Sequence, residues 1–141
     1  MTPYQVEHVQ RTWRAVVPIA GQAADLFYDR LFELDHRLEP LFPDDLSQQK
    51  KKLMAMIGRV VAELGDVSSV VPAAQELGRR HAGYGVRDED YATVGAALIW
   101  TLEQGLGAAF TPEVKDSWVA AYALLSSVMR QAAREELGLH A

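Results

Sequence analysis

The chain has no cysteine among its 141 residues. That excludes disulfides, thiolate nucleophiles, iron–sulfur clusters, cysteine-ligated zinc and thioether attachment of a prosthetic group. No run approaches the roughly 20 apolar residues that a membrane helix needs. The first turns carry Glu7, Gln10 and Arg11 where a secretion signal would be apolar. A cytoplasmic protein with no membrane partner is expected. Basic residues are the minority charge, 14 Lys and Arg against 19 Asp and Glu, for a net charge of −5. Broad contact with nucleic acid or anionic lipid is therefore unfavourable. No segment alternates apolar and polar residues convincingly, so no strand is expected, and there is no internal repeat, low-complexity tract or linker.

What is present describes an ordinary globule. The hydrophobic fraction is 49% and the charged fraction 23%, and a chain of this length buries roughly two-thirds of its unfolded surface around one core. One domain spanning 1–141 is expected.

The apolar periodicity is helical almost throughout. Thr2-Pro3 is a capping residue followed by a first-turn proline, opening a helix with Val6, Val9 and Trp13 on its buried stripe. Pro18 starts a second, whose stripe of Ile19, Ala23, Leu26, Phe27, Leu31 and Leu34 turns Phe27 and its neighbour Tyr28 inward. Pro40 and Pro43 bracket Leu41-Phe42 in a tight corner. Ser47 is the expected cap of a third helix with Leu53, Ile57, Val60, Val61 and Leu64 inward, and Gln49 shares the face of Leu53. Asp88 is the expected cap of a helix carrying Tyr91, Val94, Leu98, Leu102 and Leu106. Thr111-Pro112-Glu113 opens the longest stripe, from Val114 through Trp118, Tyr122, Leu125 and Met129 to Ala132. The expectation is an all-α domain of six or seven helices.

Between the third helix and Asp88 lies Glu76-Leu77-Gly78-Arg79-Arg80-His81-Ala82-Gly83-Tyr84-Gly85-Val86. Ser68, Ser69 and Pro72 suit a helix start, which predicts a short helix ending near His81, with Leu77 one turn before it. A neutral imidazole can ligate iron through one ring nitrogen while the other donates to a backbone carbonyl. Taken alone, a lone histidine is more often a satisfied core or surface residue.

Four stretches in this order resemble the globins, and most closely the bacterial single-domain globins related to the haem domain of flavohaemoglobins: Leu26 to Phe32, Pro40 to Phe42, Gln49 to Met54, and Leu77 to Tyr91 around His81. The resemblance covers essentially the whole chain. It implies a globin fold of six to eight helices around a pocket for haem b, with His81 on a short proximal helix as the iron ligand. Tyr28 then looks like the distal tyrosine and Gln49 like the distal residue of the third helix. Gln48 is the alternative by one residue, and Leu53 favours Gln49. Phe42 looks like the corner phenylalanine against the porphyrin. Leu53, Leu77, Val86, Tyr91, Val94 and Leu98 fall to the pocket, and Lys52 and Arg80 are candidates for the haem propionates, with a solvated charge as the alternative for each.

The implied activity is reversible binding of dioxygen, and of carbon monoxide and nitric oxide, at a five-coordinate haem. Dioxygen becomes polar on binding ferrous haem, so a donor beside it slows its escape, and a phenol is a better donor than an amide. Glutamine at position 49 does not close onto ferric iron as histidine can. Flavohaemoglobins carry a glutamate on the last helix that hydrogen-bonds the proximal histidine, and counting from Trp118 that place holds Ala133. Tyr91 thereby loses its usual partner, and peroxidase chemistry is expected to be weak. His36 stands where globins commonly have proline and reads as a solvent-facing loop residue; His8 and His140 read as incidental. The sequence shows no flavin or nicotinamide domain, so nitric oxide dioxygenation, the alternative function, would need a separate reductase. Gas or redox sensing comes third, since no output domain is evident. A monomer and a homodimer both remain open.

Overall fold

A computed structural model describes residues 1–138, so His140 lies outside the described residues. Six α-helices and no strand are found among them. They are α1 (Pro3–Val16), α2 (Ala20–Leu34), α3 (Ser47–Ala62), α4 (Val67–Gly83), α5 (Asp90–Leu106) and α6 (Pro112–Glu136), with short 3-10 turns at Val17–Ile19, His36–Leu41 and Gly107–Ala109. The expected all-α fold is present.

Local chemistry sets most of the helix starts. The Thr2 hydroxyl accepts the Gln5 N–H while the Gln5 side chain accepts the Thr2 N–H, a reciprocal cap followed at once by Pro3. Thr111 does the same work for α6 by accepting the Val114 N–H. Two expected caps differ. Ser47 is the first residue inside α3, and Asp45 takes its N–H and its hydroxyl. The Asp88 carboxylate is drawn instead to Arg130 and Arg134 of α6. The buried Asp90, two residues on, accepts the Arg87 N–H. Guanidinium groups compete well for a carboxylate, because charge-assisted bonds are the stronger kind.

The helix bearing His81 is longer than the short one expected. It runs 17 residues from Val67, capped by Asp66, with Pro72 inside it. Proline costs one backbone bond there, but the surrounding helix is secured by packing: Val70, Ala74, Gly78 and Ala82 form a buried small-residue face laid against α6. The approach is closest at Gly78, where an added Cβ would sit 2.7 Å from the Met129 Cα. Gly78→Ala should therefore destabilise the protein by about 1 to 3 kcal/mol, read as a lowered urea midpoint in far-UV circular dichroism. An unchanged midpoint would show that α4 and α6 are not in this contact.

Two helix pairs frame the interior, α4 with α6 and α2 with α5, while α1 closes the end of the molecule against α6. At that end Val9, Trp13, Val16, Val61, Leu102 and Trp118 make the largest apolar cluster. The Trp118 Nε1–H donates to Thr12 Oγ1 at 2.9 Å, so the buried indole leaves no donor unpaired. Burial of this kind of side chain contributes roughly 1.5 to 3 kcal/mol each and supplies most of the helix stability that short helices lack alone. Filling is incomplete between the two pairs, and all six helices contribute to the wall of the cavity left there.

Candidate functional site

His81 lies in the last turns of α4, where the helix must end and the chain must turn back towards α5. The Tyr84 N–H closes onto the Arg80 and His81 carbonyls, and Gly85 takes a φ of +87° that few other residues tolerate. The half-buried imidazole brings Nδ1 to 2.7 Å from the Leu77 carbonyl oxygen, one turn back. A carbonyl can only accept, so Nδ1 carries the hydrogen and Nε2 holds the lone pair. No hydrogen bond is made by Nε2 among the described residues, and the ring lines the central cavity. Burial pushes the His81 pKa below its ordinary value, opposed more weakly by the Leu77 carbonyl. Burial thus favours the neutral ring, in the tautomer whose Nε2 lone pair is left unengaged beside the cavity.

The cavity is lined almost wholly by apolar side chains and holds about 130 Å³. Leu53, Val86, Tyr91, Val94 and Leu98 stand in its wall with His81. Phe42 and Leu77 do not, nor do Tyr28 and Gln49. Phe42 packs edge-on against Tyr28 at 5.5 Å and Phe32 at 5.6 Å, and Leu77 packs against the cluster of Ala74, Tyr91 and Met129. Sequence reasoning missed much of the wall: Phe27, Met56, Ile57 and Val60, and from α6 Trp118, Ala121, Tyr122, Leu125 and Met129. Most of these lay on the stripes already identified, but periodicity separates inward from outward without separating core from cavity.

Tyr28, on α2, is 2% exposed and shares a cluster with Leu53, Val94 and Leu98 of the cavity wall. Desolvation pushes its pKa above the ordinary phenol value, and the nearby Gln49 side chain pulls it partway back. The phenol stays protonated at neutral pH and is a donor. Gln49 is half-buried and Gln48 exposed, so Gln49 is the more inward of the two. Lys52 and Arg80 are both exposed, and the Arg80 guanidinium sits 3.5 Å from Glu76.

Two tyrosines mark the His81 side. The Tyr122 hydroxyl donates to the Tyr91 carbonyl at 2.6 Å, and burial raises its pKa strongly. The Tyr91 hydroxyl is buried without a hydrogen-bond partner among the described residues. Position 133 on α6 is a buried alanine with no acceptor to offer. Of the remaining histidines, His36 is exposed as expected, whereas His8 is buried on α1, where its Nδ1 lies 2.8 Å from Arg11 Nη2.

The donor set tests what could occupy such a cavity. Among the described residues no three His, Cys, Asp or Glu side chains converge, so a bare ion has too few ligands. One neutral imidazole facing apolar walls fits instead a metal that arrives already coordinated in a flat organic macrocycle, as in haem. An all-helical domain with that arrangement has room and chemistry suited to such a group.

The chain belongs to the globin family: the Globin family model matches residues 25–129. It is 31% identical to neuroglobin of Danio rerio over 118 residues, which make up 74% of each chain. It is 26% identical to the flavohemoprotein of Bacillus subtilis over 80% of its own length, but spans only 30% of that longer protein. A bacterial globin from Campylobacter jejuni has the same fold, with a TM-score of 0.86 over 97% of this chain and 99% of that one, at 17% identity. Membership in the family implies haem binding and an affinity for diatomic gases. No helix among the described residues is long and apolar enough to cross a membrane.

Proposed function

We propose that this globin holds one noncovalent b-type haem through His81 and binds dioxygen reversibly, as a cytoplasmic protein that stores or delivers the gas and also takes carbon monoxide and nitric oxide. The observation that carries this reading is the pairing of a neutral His81, with Nε2 free in an apolar cavity, and a buried Tyr28 donor beside Gln49. When bound, haem supplies a ferrous iron able to take a diatomic gas. The chain does the rest. His81 holds the group, and the Leu77 carbonyl fixes the ring's tautomer and orientation. Tyr28 offers a hydrogen bond to a polar ligand, Gln49 steadies that hydroxyl, and the apolar walls keep water away from both.

Nitric oxide dioxygenation with a separate reductase is the alternative use of the same pocket. Stopped-flow mixing of the oxygen-loaded protein with nitric oxide, followed by a search for a reductase that restores the ferrous form, separates the two. Storage predicts no sustained turnover with cellular reductases, and rapid cyclic nitrate formation would make the protein an enzyme.

Binding without strong redox activation is favoured by the proximal side. Position 133 supplies no carboxylate, the Tyr91 hydroxyl is idle, and His81 donates only to a backbone carbonyl. The iron–histidine stretching frequency should be that of an ordinary neutral imidazole. Ala133→Glu, if its carboxylate reaches His81, should raise that frequency and lower the reduction potential. A wild-type frequency already in the range of peroxidases would contradict this account of the proximal side.

A further inference from the structure

The first turns of α3, which carry Gln49, are weakly anchored. Val61, near the far end, is the only fully buried residue of this helix, and Gln10 Nε2–H donates to its carbonyl there at 3.0 Å. At the near end one ion pair crosses to another helix: Lys50 Nζ lies 2.9 Å from Asp25 Oδ1 of α2. Among the described residues no other ion pair joins α3 to a second helix. Its placement is informative. Asp25 is one helical turn before Tyr28, and Lys50 adjoins Gln49, so the ion pair lies beside both residues and bridges the same two helices.

We propose that Asp25 and Lys50 form a latch that positions Gln49 against the Tyr28 hydroxyl, making both residues positioning residues for gas retention. The proposal rests on Tyr28 and Gln49 forming the distal donor pair. With the latch closed, Lys50 holds the first turns of α3 against α2. With it open, the apolar contacts of Leu46, Leu53 and Met54 remain, but no ion pair fixes the first turns of α3 to α2, and Gln49 is free to leave the hydroxyl. Asp45 is a second acid near Lys50, but its Oδ1 is already committed to Ser47 N–H and hydroxyl. Asp45 sits in the approach to α3 and bridges to no other helix. The Lys50 side chain is 31% exposed and that of Asp25 61%, which limits the strength of the pair. Its loss should change gas retention by about fivefold at most, which corresponds to about 1 kcal/mol.

The test compares haem-loaded wild type with Lys50→Met, Asp25→Asn and the double variant, using Tyr28→Phe as the reference for a lost donor. Oxygen dissociation should speed up about three- to fivefold in each single variant and no further in the double variant, because both changes break one interaction. Salt should speed wild-type dissociation and leave the variants unmoved. Two structural readouts should move with the rate: the C–O stretch of the carbon monoxide complex should shift towards that of Tyr28→Phe, and amide exchange across Lys50–Met54 should quicken. Lys50→Arg should retain wild-type behaviour. If Tyr28→Phe accelerates oxygen loss while Lys50→Met leaves rate, stretch and exchange unchanged, or if the two single effects add, the latch is overturned and the distal assignment stands. If Tyr28→Phe changes nothing, both are overturned.

Discussion

His81→Ala should abolish ordinary haem ligation and cost the protein most of the stability that the bound group confers. Among the described residues His81 supplies the only imidazole in the cavity wall, and no cysteine exists to hold the group covalently. A ligand bound at a thousand times its dissociation constant stabilises the fold by about 4 kcal/mol, so losing it should lower the thermal midpoint by several degrees or more. The variant, purified with added haem, should show either no haem or a spectrum lacking the iron–histidine stretch. Exogenous imidazole should restore that stretch in His81→Gly, because the apolar walls remain to receive it. A wild-type spectrum and midpoint in His81→Ala would refute the ligand assignment, and with it every role derived from the orientation of this ring.

Tyr28→Phe should accelerate oxygen dissociation about tenfold or more and alter carbon monoxide dissociation much less. A hydrogen bond worth roughly 1 to 3 kcal/mol corresponds to about ten- to a hundredfold. Only a polar bound ligand draws on it fully. The substitution removes one oxygen atom from a side chain packed edge-on with Phe27 at 5.0 Å, so packing is preserved and the readout isolates the donor. Gln49→Leu should give a smaller acceleration, since Gln49 acts partly through the hydroxyl it steadies. Gln48→Leu should do nothing, because that side chain is exposed. An unchanged oxygen rate in Tyr28→Phe would remove the tyrosine from the distal site.

The helices were legible in the sequence because amphipathic stripes and paired cap-and-proline starts encode them locally, as at Thr2-Pro3 and Thr111-Pro112. The His81 helix was read too short because Pro72 reads as a start. What overrides it is the contact of Gly78 with α6, a tertiary interaction that local propensity cannot report. Asp88 was misread for the same reason: its two arginine partners are more than forty residues away on α6. The cavity was legible as a face and not as a boundary. Leu53, Val94 and Leu98 were assigned to it, but the α6 wall was read as plain core, because an inward residue next to a void has the same sequence signature as one in contact. The orphaned Tyr91 hydroxyl was anticipated from Ala133. The Lys50–Asp25 pair had no signal at all, since its partners lie on different helices and each reads as a solvated charge.

Reversible gas binding at a five-coordinate haem held by His81 has a direct optical signature. The most direct measurement is the absorption spectrum of the anaerobically reduced protein, recorded before air is admitted, in air, and again under argon. A five-coordinate ferrous spectrum should convert to a stable oxygenated one and return under argon with little ferric product. A six-coordinate ferrous spectrum before air, or immediate conversion to the ferric form on exposure, would contradict such binding.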